Sequence, residues 1–334
     1  MKEAGSLGDN KMETTGLICA CIMDGKGGAK KLSWEDIVQL ESAQAPIWLH
    51  FDYTSPKAVE WITNKSGLDE VSASALLTEE SRPRATSIGG GILVALRGVN
   101  LNPGSDPEDM VAVRVWLDGK RIISTRKRPL LSESDLMKSF EDKQGPKTTG
   151  EFIVDLSERL ISRMEGTVED IEDRVAQMEE DVITSENHAL RTRLSAIRRE
   201  AIMLRRYLAP QREAMMKLQS ENLSWLSDSD KLHLRETTDR VIRYIEDLDS
   251  VRDRAAVTQE ELVNRLSEQM NTRMYVLSLV AAVFLPLGFL TGLLGINVGG
   301  IPGAENQSAF FMFILMLVIV VTLQIIIFKK KKWL

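Results

Sequence analysis

The sequence predicts an α+β membrane protein, with an N-terminal α/β domain, long stalk helices and a two-helix transmembrane hairpin. Three observations predict it. Strand-and-turn texture fills residues 16–130, a long helical stretch with one proline and few glycines runs from Glu151 to Met274, and two uncharged apolar runs lie near the C-terminus. The expected segments are 1–147 (α/β domain), 148–228 (paired long helices), 229–273 (stalk helix), 274–294 (first span), 295–308 (loop), 309–328 (second span) and 329–334 (basic tail).

The chain's 334 residues leave room for one sizeable domain beside the membrane part, and 27% charged with 43% hydrophobic residues is ordinary for a folded protein. A net charge of -6 argues against nucleic acid, which wants a basic face, and suits metal cations better.

In the first segment, "GLICACIMDGKGG" and "MVAVRVWLDGKRIIST" each place a strand before an Asp-Gly turn, and "APIWLHFDY" and "GGILVALRGVNL" are apolar runs ended by turn residues. Short helices are expected between Lys57 and Glu80, behind the start signal Thr54-Ser55-Pro56. Gly89, Gly90 and Gly91 fit no phosphate-binding loop pattern and are expected to bend a strand. Cys19 and Cys21 would share one strand face, but without a second pair or a nearby histidine they make a poor zinc site. His50, His188 and His233 form no metal-ligand motif and are read as structural.

The helical stretch opens acidic, from Glu165 to Asp181, and continues basic, from Arg191 to Arg212, so an antiparallel hairpin would pair the charges. The last long helix, starting near Ser229, has neither Gly nor Pro before the membrane, so stalk and first span are expected to form one continuous helix. Asp249, Asp253 and Glu260 share a stalk face by spacing, as either a regulatory metal site or ordinary solvated charge.

The runs Met274–Leu294 and Ala309–Phe328 each approach the ~20 apolar residues that cross a bilayer core. Lysines 329–332 and Arg273 flank them, while their connection carries no Lys or Arg, so both ends should be cytoplasmic and the connection outside. The opening "MKEAGSLGDNKMETT" lacks the apolar stretch of a secretory signal, which fits a cytosolic N-terminal domain. Along the last helix, steps of three and four select Glu260, Asn264, Ser267, Asn271, Met274, Ser278, Ala281, Leu285, Gly288 and Gly292, with Leu277 beside them. The stripe is polar before the membrane and small or soft within it. Either it lines a pore, or Gly288 and Gly292 are a G-x-x-x-G helix contact. Two spans cannot enclose a pore, so a pore requires several copies around an axis.

"PLGFLTGLLGIN", Pro286 to Asn297, followed by a short loop, a second span and a basic tail, resembles the CorA family of metal-ion transporters, with Gly-Ile-Asn in place of the family's Gly-Met-Asn. That variant with "GGIPG" behind it, together with "WLHFDYTSP" and "MDGKGGAKKL", is similar to the zinc-transporting ZntB branch. The resemblance implies a transporter rather than an enzyme, and a homopentameric funnel in a bacterial inner membrane. It also implies zinc uptake stimulated by a proton gradient, without a resident cofactor; cadmium, nickel and cobalt are further candidate ions. Gly295, Ile296 and Asn297 would form the outer mouth, where five amide oxygens hold a hydrated cation loosely enough to release it. Helix capping by Asn297 is the alternative. Glu305 would add a negative rim. Glu305 is also the one carboxylic acid between Met274 and Phe328, so protons are expected to travel by pore water. A magnesium, cobalt or nickel channel and a membrane-tethered scaffold remain the rival readings.

The lysine asymmetry makes topology testable: Ser308→Cys should react with an impermeant thiol reagent added outside intact cells, and Leu334→Cys should not. Reversed labelling would overturn the orientation.

Overall fold

The computed structural model describes residues 15–39, 45–79, 82–184, 189–295 and 306–331. They divide into two compact units, Met1–Gln259 and Glu260–Leu334.

The first unit is built on a seven-stranded sheet: β1 (Leu17–Met23), β2 (Ala29–Lys31), β3 (Ile47–Asp52), β4 (Arg84–Ile88), β5 (Gly91–Gly98), β6 (Val111–Leu117) and β7 (Arg121–Arg126). The order is β2-β1-β3-β7-β6-β5-β4. Only β3 and β7 pair in parallel; every other neighbour is antiparallel. Asp-Gly turns close two of the hairpins. Asp24 Oδ1 accepts from the Lys26 and Gly28 amides at 2.7 and 2.9 Å, and Asp118 Oδ1 accepts from those of Lys120 and Arg121 at 3.0 and 2.7 Å.

The triple glycine corrects the expectation of a strand bend. Gly89 and Gly90 have φ of +61° and +76° and form a two-residue turn, with Ile88 opposite Gly91 in the register of β4 and β5. Two consecutive positive φ values match the right-handed strand twist, and glycine supplies them without a Cβ clash. β4 itself went unread in the sequence, because "RATSI" is short and mostly exposed.

Helices cover both faces of the sheet, which is why β3 is apolar on both sides. On one face lie α1 (Trp34–Val38), α2 (Pro56–Asn64) and α3 (Glu70–Leu77). Ile37, Ala58, Trp61, Ile62, Ala73 and Leu76 from these helices form one core with Leu49, Phe51, Trp116 and Ile123 of the sheet. Pro56 opens α2 where its missing N–H costs nothing. On the other face, Trp48 packs on Phe140 of α4 (Leu131–Glu141) and Phe152 of α5 (Thr149–Ser162). His50 is structural: fully buried, its Nδ1 lies 2.8 Å from Ser124 Oγ and its Nε2 lies 3.3 Å from Glu133, which Arg126 also engages at 2.8 Å.

Next come α6 (Glu165–Thr184), α7 (Ala189–Ser220) and α8 (Asp228–Gly295). Buried positions alternate by three and four: Val168, Ile171, Val175, Met178 and Val182 on α6, and Leu190, Leu194, Ile197, Ala201, Leu204 and Leu208 on α7. Ion pairs follow the same geometry. Arg174 engages Glu200 and Arg193 reaches Asp181, so the acidic and basic helices run antiparallel. Arg254 of α8 holds Glu179 at 2.7 Å, and this hydrogen bond keeps the Glu179 carboxyl below the usual range. Within the first unit α7 lies along β4 and β5. The expected limits at 147/148 and 228/229 therefore fall near changes of secondary structure, while the first compact unit extends to Gln259.

β4 pairs with β5 as far as Ala95. Beyond it the fully buried Gln211 of α7 takes the place of a strand: its Oε1 accepts from the Arg97 amide at 2.7 Å and its Nε2 donates to the Arg97 carbonyl at 3.1 Å. Gln211→Leu leaves both backbone groups without this partner and should lower unfolding free energy by about 2–6 kcal/mol, at roughly 1–3 per stranded buried group. Urea unfolding of the detergent-solubilised chain measures this, and a loss below about 0.5 kcal/mol, the size of a neutral surface change, would refute it.

Candidate functional site

The second unit holds the membrane part of α8 together with α9 (Ala309–Lys330). Each contains an apolar stretch long enough to cross a bilayer. α8 is assigned as one helix from Asp228 through Gly295, so stalk and first span are continuous in secondary structure.

The two helices meet around a proline. Pro286 lies inside α8 and has no N–H for the carbonyl four residues back, that of Ala282. Gln324 of α9 supplies the donor, its Nε2 lying 3.3 Å from the Ala282 oxygen. Half-buried positions mark the contact faces: Leu279, Ala282, Val283, Leu287 and Leu290 on α8, and Phe313, Leu317, Val320, Val321 and Gln324 on α9. Sequence reading missed this pairing, although a proline in one apolar span and a lone amide in the other were its signal.

The stripe lies on a different face. Glu260, Asn264, Ser267, Asn271, Met274, Leu277, Ser278, Ala281, Leu285 and Gly288 are all uncovered within the chain, Met274 at 60% and Leu285 at 71% exposure. At about 100° per residue, Ser278 to Gly292 along the stripe point roughly opposite to the face that α9 covers. A Cβ built on Gly288 or Gly292 would meet no atom within 4 Å, so this glycine pair is not the contact between the two spans of one chain. Asn271, Met274, Tyr275, Ser278 and Leu279 line a concavity of about 430 Å³ at the beginning of the span.

Asp249 and Asp253 are engaged by arginines. Asp249 Oδ1 lies 2.7 Å from Arg205 and 3.0 Å from Arg252, and Asp253 lies 2.9 Å from Arg252. Glu260 is exposed. No group of three or more His, Cys, Asp or Glu side chains gathers as a metal site among the described residues. Of the three residues of the regulatory-metal reading, Asp249 and Asp253 are thus arginine-paired within the chain, while Glu260 is exposed. Cys19 and Cys21 are free thiols in contact with each other: hydrogen bonding between them lowers the Cys19 pKa and raises that of Cys21. Among the described residues no third His, Cys, Asp or Glu joins them as a metal site. His233 is exposed near the start of α8, and His188 lies outside the described residues. Gly295 is the last described residue of α8; Ile296, Asn297 and Glu305 lie outside the described residues.

A sheet domain with long helices, followed by two apolar C-terminal helices, defines a class of membrane proteins with a soluble N-terminal domain. Within that class the chain belongs to the family described as CorA-like Mg2+ transporter protein, whose model matches residues 43–331. It is 40% identical over 322 residues to the divalent cation transporter CmaX of Pseudomonas aeruginosa, covering 96% of this chain and 97% of the relative. It is 37% identical over 323 residues to the zinc transport protein ZntB of Yersinia pseudotuberculosis, covering 97% and 98%. The solved structure of full-length CmaX is similar with a TM-score of 0.85 at 38% identity, over 99% of this chain and 100% of that one.

Gln324→Leu should loosen the two spans by about 1 kcal/mol, the usual worth of an interhelical hydrogen bond in membranes. Comparing thermal melts of the two proteins in lipid nanodiscs checks this. Melts that superimpose would show that Ala282 finds another donor.

Proposed function

We propose that this protein carries divalent metal cations, zinc foremost, across the bacterial inner membrane, through a pore on the axis of a homopentamer whose N-terminal domains form a cytosolic funnel. The observation that carries the reading is the stripe from Glu260 to Gly288, left uncovered on the face of α8 away from α9. The names of the relatives add the cargo: a divalent cation transporter and a zinc transport protein.

The mechanism follows from the chemistry of the stripe. Asn271, Ser278 and the backbone beside Gly288 offer neutral oxygens, repeated by each copy around the axis. Such groups hydrogen-bond the water shell of a divalent cation and let it go again, whereas thiolate or imidazole ligands would hold zinc too tightly for flux. Gly295, Ile296 and Asn297 would form the outer mouth, and Glu305 its negative rim. Both termini would be cytoplasmic, in keeping with Lys329–Lys332 and the uncharged connection. Stimulation by a proton gradient would work through pore water or the acidity of zinc-bound water, because the spans hold no buried carboxylic acid. The family description names magnesium, which keeps a magnesium-type channel as the second reading.

Radiotracer uptake into proteoliposomes separates the readings. Zinc uptake exceeding magnesium uptake, and rising with an inward proton gradient, is the expected result; magnesium preference selects the second reading, and absence of both fluxes leaves only a scaffold. Asn271→Trp and Met274→Trp should each abolish most of the flux by filling the stripe at its inner end. Val276→Trp, off the stripe, should cost far less, and equal loss at all three positions would overturn the pore assignment.

A further inference from the structure

The first unit contains a basic cavity that includes no residue of the stripe. It measures about 320 Å³ and is lined by Tyr53, Glu79, Arg97, Val111, Ala112, Arg114, Lys127 and Arg128. Tyr53, Lys127 and Arg128 lie just past the carboxyl ends of β3 and β7, the one parallel pair in the sheet. That end of parallel strands is where open sheets place their ligands.

Four cations line the cavity against one carboxylate. Glu79 is engaged by Lys127, and Arg128 by Asp109 nearby. Arg97 donates to the Met110 carbonyl at 2.7 Å and lies over the Tyr207 ring at 4.2 Å. Arg114 differs from these. Its residue is 1% exposed, one terminal nitrogen donates to the Glu79 carbonyl at 2.8 Å, and its guanidinium sits 5.1 Å from the Tyr53 ring centroid. Its Nε has no hydrogen-bond partner, and among the described residues no carboxylate pairs with it. Burial above all pushes the Arg114 pKa down; Tyr53, which hydrogen-bonds it, acts in the opposite direction, and Arg97 and Arg84 act with burial. A buried guanidinium with no carboxylate paired to it among the described residues is costly, so an anion bound beside Arg114 would be stabilised.

We propose that this cavity binds a phosphate group, carried as inorganic phosphate or on a small phosphate ester, with Arg114 at its base and Lys127 and Arg128 beside the anion. A planar guanidinium meets phosphate oxygens through paired donors, and a dianion balances more than one of the surrounding cations.

The test is calorimetric titration of the full-length protein in detergent with inorganic phosphate, adenosine 5′-monophosphate and sodium chloride at matched ionic strength. Saturable binding of phosphate beyond the chloride response is expected; equal binding of the two phosphate probes assigns the group alone, and tighter nucleotide binding assigns an ester. The double variant Lys127→Ala/Arg128→Ala, which changes two partly exposed side chains, should weaken phosphate binding about ten-fold, the order expected for loss of a charge-assisted hydrogen bond. Arg114→Met should abolish binding, and its thermal melt reports folding independently. No phosphate binding, a heat equal to that of chloride, or unchanged affinity in the double variant would each overturn the proposal.

Discussion

Backbone groups removed from water must find partners, and in both units of this chain a glutamine side chain meets that demand where regular structure fails. Gln211 carries the edge of the sheet past the point where β4 stops, offering Arg97 one acceptor and one donor as a strand would. Gln324 gives Ala282 the donor that Pro286 lacks. The first fixes α7 against the sheet, and with it the helices that pair with α7 by charge. The second fixes which faces of α8 and α9 meet, and so which face of α8 is left over.

The leftover face is where structure and function join. Hydrocarbon gives two apolar helices little reason to prefer one contact over another, since lipid tails are as apolar as leucine. A single polar contact therefore has unusual authority over helix rotation. Once Ala282 is turned toward α9, Ser278, Ala281, Leu285 and Gly288 are turned away. The two spans of one chain leave these side chains without a cover.

In the first unit electrostatics mainly serves architecture. The acids of α6 and Asp249 of α8 are matched by Arg193, Arg205, Arg252 and Arg254, pairs that are partly exposed and individually worth about 0–1 kcal/mol. Their value lies in fixing register between helices whose apolar positions already alternate by three and four. Arg114 departs from this pattern, being buried and, among the described residues, unpaired with a carboxylate.

The sequence by itself determined the class of the protein. Apolar runs of span length, the change of texture after Gly145-Pro146, and the absence of Gly and Pro before Met274 are one-dimensional signals, because they depend only on the hydrophobic period and on backbone propensity. "PLGFLTGLLGIN" carried the family resemblance in the same way. Tertiary structure alone decided the order of the strands, the role of Gly89 and Gly90 as a hairpin turn, and the partners of Asp249, Asp253 and Arg114. The stripe shows the boundary between the two. Its spacing was legible in the chain, but that spacing fits helix packing as well as it fits an open face. Which face the second span of the same chain covers depended on Gln324 reaching Ala282 across 42 residues of sequence. Contacts between distant residues are settled by shape and by unsatisfied polar groups, and local pattern encodes neither.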